Sequence, residues 1–153
     1  MNTREIDTPI GKLTLAESNG FLTHIFFEGE QPALPSTTET SPVLKQTATE
    51  LAEYFAGARK TFTVPIKPAG TPYFQRIWTI MQAKVPYGQT ISYQELAALA
   101  GNERAARAVG LANNRNPIPI IIPCHRVRGK NGTLTGFRAG LDTKQKLLEL
   151  ESH

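Results

Sequence analysis

A change in hydrophobic period close to residue 68 constrains the fold of this chain more than any other feature. Before it, Lys12–Ala16 and Phe21–Phe27 have the alternation of strands, and they flank Asn19-Gly20, a dipeptide that favours a tight hairpin turn. After it, apolar residues recur at helical spacing. The segment Val64–Gly70, which contains two prolines and a glycine, is typical of a linker. The chain should therefore begin with an antiparallel sheet and continue as helices.

The first part of the chain also predicts one helix. Ser41-Pro42 offers a capping hydroxyl followed by a proline at the first helical position, and apolar residues follow at helical spacing as far as Gly57. Gln31–Thr40, which is rich in proline, serine and threonine, is predicted to be a surface loop. We predict an α+β fold, in which residues 1–68 form a small antiparallel sheet with a covering helix and residues 69–153 form a mainly helical domain.

Within the second domain, the spacing predicts a helix-turn-helix. An earlier helix opens at Thr71-Pro72, and its apolar stripe belongs to the core: Phe74, Ile77, Trp78 and Met81. Ser92 and Glu95 then have the spacing of a capping box that starts a helix over Tyr93–Ala100. Gly101-Asn102 ends that helix and caps the next, which runs from Glu103 to about Ala112. Two short helices joined this closely serve either DNA binding or structure alone.

The second helix of this pair is rich in alanine and glycine, with Arg104 and Arg107 among them. Small side chains let a helix approach another surface closely, and an arginine standing among them can project into that surface. The composition suits the minor groove of DNA, where proteins insert side chains between base steps. Tight packing against protein is the alternative.

Composition limits the classes of function. With one cysteine there is no internal disulfide, and three scattered histidines do not have zinc-finger spacing, so we predict no metal site. No apolar run reaches the roughly 18 residues that span a bilayer, so we expect a cytoplasmic protein without a membrane partner. Residues 84–146 hold ten Lys/Arg against three Asp/Glu, whereas residues 1–60 hold five against eight. This asymmetry indicates either a surface that meets a polyanion such as DNA, or a solvated basic face.

The most informative stretch is Asn116–Val127, in which an apolar run between prolines precedes Cys124 and His125. We expect this run to be extended and to hold the cysteine in a fixed place. A thiolate is the reactive form of cysteine, and an adjacent imidazole and basic surroundings favour it. Arg126, Arg128 and Lys130 are expected to supply those surroundings. A buried, unreactive cysteine is the alternative.

The last helix supplies a candidate partner for His125. Asp142 is predicted to cap it, with Gln145 completing a pair that resembles a capping box. Glu151 falls on the same face as the apolar Leu147 and Leu148, and a carboxylate on such a face needs a partner. A Glu151, His125, Cys124 relay would follow the logic of orienter, base and nucleophile. Glu151 in solvent near the chain end is the alternative.

Pro123–Val127, preceded by Asn116-Pro117 and Pro119, resembles the acceptor motif of the O6-alkylguanine-DNA alkyltransferases, also called methylated-DNA-protein-cysteine methyltransferases. Further segments follow the family's order and spacing: Val85–Gly88, Ser92–Ala97, Ala105–Gly110 and Gly136–Leu141. The resemblance covers about Thr71 to Glu151, whereas the N-terminal part matches only in its pattern of strands and helix. It implies a ribonuclease H-like domain at 1–68 and a DNA-binding, alkyl-accepting domain at 69–153.

The resemblance implies single-use DNA repair. Cys124 would attack the alkyl carbon on O6 of guanine, His125 and a water would accept the thiol proton, and Glu151 would orient His125. Because a thioether is a poor leaving group, each molecule would act once, and we expect no cofactor. The partner would be double-stranded DNA carrying alkylated guanine, with O4-alkylthymine as a further candidate substrate, and we expect a monomer.

The resemblance also assigns supporting roles. Tyr93 would hydrogen-bond or protonate the departing guanine and press on the target phosphate, Lys144 would help to hold the base, and Asn116 would brace the turn that assembles the relay. In the helix-turn-helix, Arg107 would enter the base stack as the damaged nucleotide swings out. Gln94 and Asn102 match positions that bind the DNA backbone. Docking would therefore use the minor groove.

The chain departs from some members of the family. With one cysteine, it lacks the N-terminal metal-binding cysteines of the transcription-activating members and the zinc ligands of some animal members. A binding-only alkyltransferase-like protein is one alternative, but those proteins carry another residue, commonly tryptophan, in place of Cys124. A cysteine hydrolase and a plain helix-turn-helix regulator are the others. The absence of a glycine-rich oxyanion loop and the basic surroundings argue against the hydrolase.

Overall fold

The structure is a computed structural model that describes residues 2–30, 41–129 and 137–152. The chain divides into two compact units, Met1–Ala69 and Gly70–His153. The first combines a three-stranded sheet with one helix, and the second is mainly helical. The predicted α+β fold is confirmed. The predicted loop Gln31–Thr40 lies outside the described residues.

The antiparallel sheet has the order β1 (Asn2–Thr8), β2 (Gly11–Ser18) and β3 (Phe21–Phe26). Asn19 and Gly20 connect β2 to β3 with φ angles of 53° and 84°. These left-handed values suit the predicted tight turn. Strand β1 was not predicted from the sequence, because it is an edge strand with one buried residue and does not show a strong apolar alternation.

One helix, α1 (Pro42–Phe55), packs against all three strands. The hydroxyl of Ser41 accepts a hydrogen bond from the backbone N–H of Leu44 at 3.0 Å, so the predicted cap is present. The residues that α1 buries lie on one face at helical spacing: Val43, Leu44, Thr47, Glu50, Leu51 and Tyr54. The helix therefore covers the sheet, as its spacing predicts.

Part of the predicted linker belongs to the first unit. The N–H of Leu22 donates to the carbonyl of Pro65, and the N–H of Lys67 donates to the carbonyl of Leu22, both over 2.9 Å. These residues thus pair with the edge of β3, where strand amides would otherwise lack a partner.

The second unit contains α2 (Pro72–Lys84), α3 (Tyr93–Leu99), α4 (Ala106–Asn114) and α5 (Leu141–Glu151), together with the short parallel pair β4 (Ile91–Ser92) and β5 (Val127–Arg128). The first three helices pack against one another. Trp78 joins α2 to α4, because its indole N–H donates to the carbonyl of Ala112 over 2.8 Å. No helix in the described ranges combines the length and hydropathy needed to cross a bilayer.

The helix-turn-helix consists of α3, a tight turn and α4. Ser92 and Glu95 form the predicted capping box at the start of α3. At its end, Gly101 adopts a φ of 99°, and the N–H of Asn102 donates to the carbonyl of Ala97, as in a Schellman motif. The side chain of Asn102 then caps a 3-10 turn over Glu103–Ala105 that leads into α4. The second helix was predicted as one element; its first turn is instead wound more tightly, and α4 ends at Asn114.

The start of α5 differs from the prediction. Gly140 is the residue before the helix, with a φ of 95°, and no side chain caps the first turn. Asp142 lies within that turn, where a carboxylate interacts favourably with the helix dipole. Gln145 donates to Glu149 over 2.9 Å rather than to a capping position. The end of α5 carries Leu147 and Glu151 on its buried face.

Candidate active site

The run that precedes the cysteine is folded into a compact loop, not extended as predicted. The amide of Asn116 donates to the carbonyl of Ile122 over 2.8 Å and accepts from the N–H of Ile118 over 2.9 Å. The N–H of Ile122 closes the loop on the carbonyl of Ile118 at 3.0 Å. Ile120 has a φ of 75°, a left-handed value that is strained for a β-branched residue and reverses the chain. The side chain of Asn116 thus supplies hydrogen bonds to backbone groups that would pair with a neighbouring strand if the run were extended.

Cys124 follows a tight turn at Pro123. The φ and ψ of Pro123 are −80° and 64°, and the N–H of Cys124 donates to the carbonyl of Ile122 over 2.8 Å, as in an inverse γ-turn. Cys124 then opens a 3-10 turn that ends at Arg126. The cysteine is only 5% exposed. Because this segment is a turn, consecutive side chains do not have the opposite orientations that a strand would give them.

His125 and Glu151 form a buried pair. The Nε2 of His125 lies 2.6 Å from Oε2 of Glu151, and the imidazole is completely buried. The contact that helical spacing indicated is therefore present. Nδ1 of His125 is buried and has no hydrogen-bond partner among the residues that the structure describes, so the imidazole does not bond the thiol directly. Burial lowers the pKa of His125, against the opposing effect of Glu151. A neutral imidazole with an unbonded ring nitrogen can act as a base.

The thiol is held in its neutral form at rest. Burial raises the pKa of Cys124, while a hydrogen bond from the side chain of Asn116 and the charges of Arg138 and Lys144 act in the opposite direction. Nucleophilic attack therefore requires a base that removes the proton. The site provides an imidazole at the next position along the chain.

The cations near the sulfur are not those that the sequence indicated. Arg126 pairs with Glu151, with its Nε 2.7 Å from Oε1. Arg128 bonds to the hydroxyl of Thr90 over 3.2 Å and to Glu95 over 3.4 Å. Lys130 lies outside the described residues. The prediction that these residues supply the basic surroundings of the thiol is not met by Arg126 and Arg128: Glu151 of the relay binds the first and Glu95 the second, and the cations that lower the pKa of Cys124 are Arg138 and Lys144.

Lys144 is fully buried on α5, and its Nζ donates to the backbone carbonyl of Val127 over 2.7 Å. Burial lowers the pKa of this lysine, whereas Cys124 raises it. Lys144 therefore supplies positive charge near Cys124 and also fixes the segment that follows the 3-10 turn over Cys124–Arg126.

Two further residues hold the loop from Asn116 to Cys124, called the acceptor loop below, and neither was assigned a role from the sequence. Asn113, on α4, donates from Nδ2 to the carbonyl of Cys124 over 3.3 Å. Arg138 donates from Nη1 to the carbonyl of Asn116 over 2.7 Å. No local pattern indicated the contact of Asn113, and the signal for Arg138 was its place in a segment that resembled the family.

The predicted DNA-binding residues belong to the helix-turn-helix. Tyr93 is the first residue of α3, and its ring lies next to Gly110 of α4, where an added Cβ would be 3.8 Å from the ring. Gln94, Asn102 and Arg107 are exposed. Within the described ranges, no hydrogen bond joins those three to the buried relay. The structure thus brings together Cys124, His125, Glu151, Asn116 and Lys144 as one group, and presents Gln94, Asn102 and Arg107 on the surface.

The described residues contain no cluster of three or more histidine, cysteine or acidic side chains that could hold a metal ion. The buried groups around the cysteine have protein partners instead: Asn116 and Arg126 bond to backbone or carboxylate, and Lys144 bonds to Val127. The chemistry that this group of residues supports is proton transfer and nucleophilic attack by sulfur.

Comparison with protein families matches both units. Residues 3–68 match the ribonuclease-like domain of 6-O-methylguanine DNA methyltransferase, and residues 72–153 match its DNA binding domain. Together these matches extend over most of the chain.

Individual relatives agree with these matches. The methylated-DNA–protein-cysteine methyltransferase of Methanosarcina acetivorans is 45% identical over 95% of this chain and 94% of its own length. The constitutive enzyme of that name from Bacillus subtilis is 42% identical over 95% of this chain and 92% of its own. The crystal structure of Mycobacterium tuberculosis OGT in complex with DNA has a TM-score of 0.91 and 43% identity, covering 99% of this chain and 93% of that one. The chain therefore belongs to the 6-O-methylguanine DNA methyltransferase family.

Proposed function

We propose that this chain repairs DNA by transferring a methyl or larger alkyl group from O6 of guanine to its own Cys124, irreversibly and once per molecule. The observation that carries the proposal is a buried cysteine followed directly by a histidine that is paired with a buried glutamate, in a chain of the alkyltransferase family. DNA is the partner, and the chain is a methylated-DNA–protein-cysteine methyltransferase. The substrate is double-stranded DNA carrying alkylated guanine, and the protein acts as a monomer.

The transfer step follows from the protonation states of the site. The thiol proton of Cys124 passes to the imidazole of His125, with a water between them, while Glu151 holds the ring by its other nitrogen. The sulfur forms a bond to the alkyl carbon as the bond from that carbon to O6 breaks, and the electron pair remains on guanine. Tyr93 hydrogen-bonds or protonates the departing base. The product is a thioether, which is a poor leaving group, so the cysteine is not regenerated.

The supporting residues act through position and charge. Asn116 folds the acceptor loop by its two hydrogen bonds to the loop backbone. Lys144 places a cation near the sulfur, which favours the thiolate as it forms, and helps to hold the base. The hydrogen bond from Asn116 to the thiol and the charge of Lys144 both favour ionisation of Cys124, which burial opposes.

DNA recognition is assigned to the helix-turn-helix in the minor groove. On α4, Arg107 and Ala108 are exposed and Ala106 and Gly110 are half-buried, and Arg107 enters the base stack while the damaged nucleotide turns out into the site. Gln94 and Asn102 contact the backbone. Residues 69–153 form the DNA-binding and acceptor domain, and residues 1–68 form a ribonuclease H-like domain.

A stoichiometric titration tests this function. A duplex containing one O6-methylguanine is incubated with increasing amounts of protein, digested to nucleosides and assayed for restored guanine. We expect one guanine restored per protein molecule and none by Cys124→Ser, which should still bind the duplex. Repair of many lesions per molecule, or repair by the serine variant, would contradict the proposal.

A further inference from the structure

Arg126 is almost fully buried, and its guanidinium is held from several sides. Nε and Nη2 donate to the two carboxylate oxygens of Glu151 over 2.7 Å and 3.0 Å, and Nη1 donates to the carbonyl of Val85 over 2.8 Å. The ring of Tyr87 lies 5.8 Å from Cζ, and the Tyr87 hydroxyl donates to the carbonyl of Leu150 over 3.3 Å. A bidentate pair of this kind fixes both the position and the plane of the carboxylate.

The carboxylate of Glu151 has a second basic partner, because Oε2 also lies 2.6 Å from Nε2 of His125. A buried carboxylate that faced the imidazole alone would favour a proton on the ring, since the ion pair is more stable than an isolated buried charge. The guanidinium of arginine stays protonated in proteins. Arg126 therefore already balances the negative charge of Glu151, and a proton on His125 would add an unbalanced positive charge.

The other groups around the imidazole act in the same sense. Burial lowers the pKa of His125 below its ordinary value of 6.5; Glu151 raises it, and the positive charges of Arg126 and Lys144 lower it. The neighbouring Cys124 is held as a neutral thiol by burial. Arg126 therefore binds the carboxylate of Glu151 and opposes the effect of that carboxylate on the pKa of His125.

The hydrogen bonds also determine the tautomer. Because an ionised carboxylate only accepts, Nε2 of a neutral His125 must carry the proton that is shared with Glu151. Nδ1 then keeps its lone pair, and it is the ring nitrogen without a hydrogen-bond partner among the described residues. We propose that Arg126 is a positioning residue for alkyl transfer, an inference that rests on the proposed function. It neutralises Glu151 and so keeps His125 an uncharged imidazole whose Nδ1 accepts the thiol proton.

The pH profile of transfer to Cys124 separates this role from a merely structural one. Single-turnover rates with free O6-alkylguanine base are measured for the unaltered chain, Arg126→Gln and Arg126→Lys. In Arg126→Gln we expect the rate at about pH 6.5 to be about tenfold below its own rate at about pH 8.5, because His125 becomes protonated. Arg126→Lys keeps the charge and should retain the original profile at a lower overall rate. A loss in Arg126→Gln that is equal at every pH would overturn the proposal.

A second measurement needs neither a stable Arg126→Gln variant nor alkyl transfer. Nuclear magnetic resonance of the unaltered chain with nitrogen-15-labelled histidine reports the protonation of each ring nitrogen, and His125→Gln identifies the signals of His125. We expect the neutral tautomer with the proton on Nε2 at neutral pH. An imidazolium, or a proton on Nδ1, would overturn the proposal. A chain that shows the expected tautomer but does not accept an alkyl group would contradict the proposed function instead, so the two failures are distinguishable.

Discussion

Asn113 and Cys124 are joined by a hydrogen bond in which Nδ2 of the asparagine donates to the backbone carbonyl of the cysteine over 3.3 Å. Asn113 lies on α4, the helix that also presents Arg107. The N–H of Val127 donates to the same carbonyl. The helix assigned to DNA therefore also holds the backbone of the acceptor residue.

Asn113→Ala removes this bond, and the carbonyl of Cys124 keeps the bond from the N–H of Val127. We expect transfer from free O6-alkylguanine base to slow by about fivefold, which corresponds to about 1 kcal/mol, the usual contribution of one hydrogen bond. Asn114→Ala changes the exposed neighbour on the same helix and is the matched control. Equal rates for Asn113→Ala and the unaltered chain would show that the bond does not position the cysteine.

Arg107→Ala should slow the repair of duplex DNA, which requires extrusion of the nucleotide, more than transfer from the free base, which does not. Turning a nucleotide out of a duplex costs a few kcal/mol, so we expect repair in duplex DNA to slow by at least about tenfold and transfer from the free base to change less than about twofold. The measurement is the single-turnover rate with each substrate. Lys146→Ala, on the exposed face of α5, removes an equal charge as control. Equal losses with both substrates would count against the proposed role of Arg107.

Lys144→Met should make the acceptor thiol harder to ionise. The charge of Lys144 opposes the effect of burial on the pKa of Cys124, so removing that charge should raise this pKa further. The measurement is the difference in ultraviolet absorbance between each protein and its Cys124→Ser counterpart during a pH titration, because the four tyrosines also absorb when they ionise and the difference leaves the single cysteine. Lys146→Met serves as control. An unchanged titration in Lys144→Met would contradict the assignment of Lys144 as the cation that acts on the sulfur.

The pH dependence of transfer follows from the opposite shifts of the two pKa values. The pKa of Cys124 is raised and that of His125 is lowered, so a neutral thiol and a neutral imidazole coexist between them. We expect the rate with free base to change less than about twofold between about pH 7 and 8.5, and to fall at lower pH as His125 becomes protonated.

In His125→Gln, the transfer rate should rise with pH over the range in which the unaltered chain has a nearly constant rate. Without the base, attack depends on the fraction of Cys124 that is already ionised at a given pH. Below the pKa of the thiol this fraction rises about tenfold per pH unit, and we expect the rate to rise with it over the same range. Circular dichroism checks that the variant is folded. A flat profile in His125→Gln would mean that another group removes the thiol proton.

Local sequence signals predicted most of the fold. Asn19-Gly20, Ser41-Pro42 and the Ser92–Glu95 capping box each act over a few residues, and each appears as expected. Strand β1 was missed because its stability comes from pairing with β2, a contact that its own residues do not reveal. The start of α5 was misplaced because Asp142 suits the first turn of a helix as well as its cap.

The site was harder to predict wherever a side chain depends on a distant partner. Glu151 could be matched with His125 because a carboxylate on an apolar face needs a counterpart. The same reasoning did not reveal that Arg126 also binds this carboxylate. Because Arg126 lies two residues after Cys124 in the sequence, it was expected to lie near the thiol. The folded acceptor loop depends on hydrogen bonds from Asn116 and on the left-handed φ of Ile120. The spacing of apolar residues and prolines in this run predicts neither feature.

The mass of the peptide that contains Cys124 shows whether the alkyl group is transferred to this residue. The protein is incubated with duplex DNA carrying O6-methylguanine, digested with a protease and analysed by mass spectrometry. We predict one added methyl group on Cys124 in each reacted molecule and none in Cys124→Ser. Restored guanine with an unmodified Cys124 peptide, or a methyl group on another residue, would contradict it.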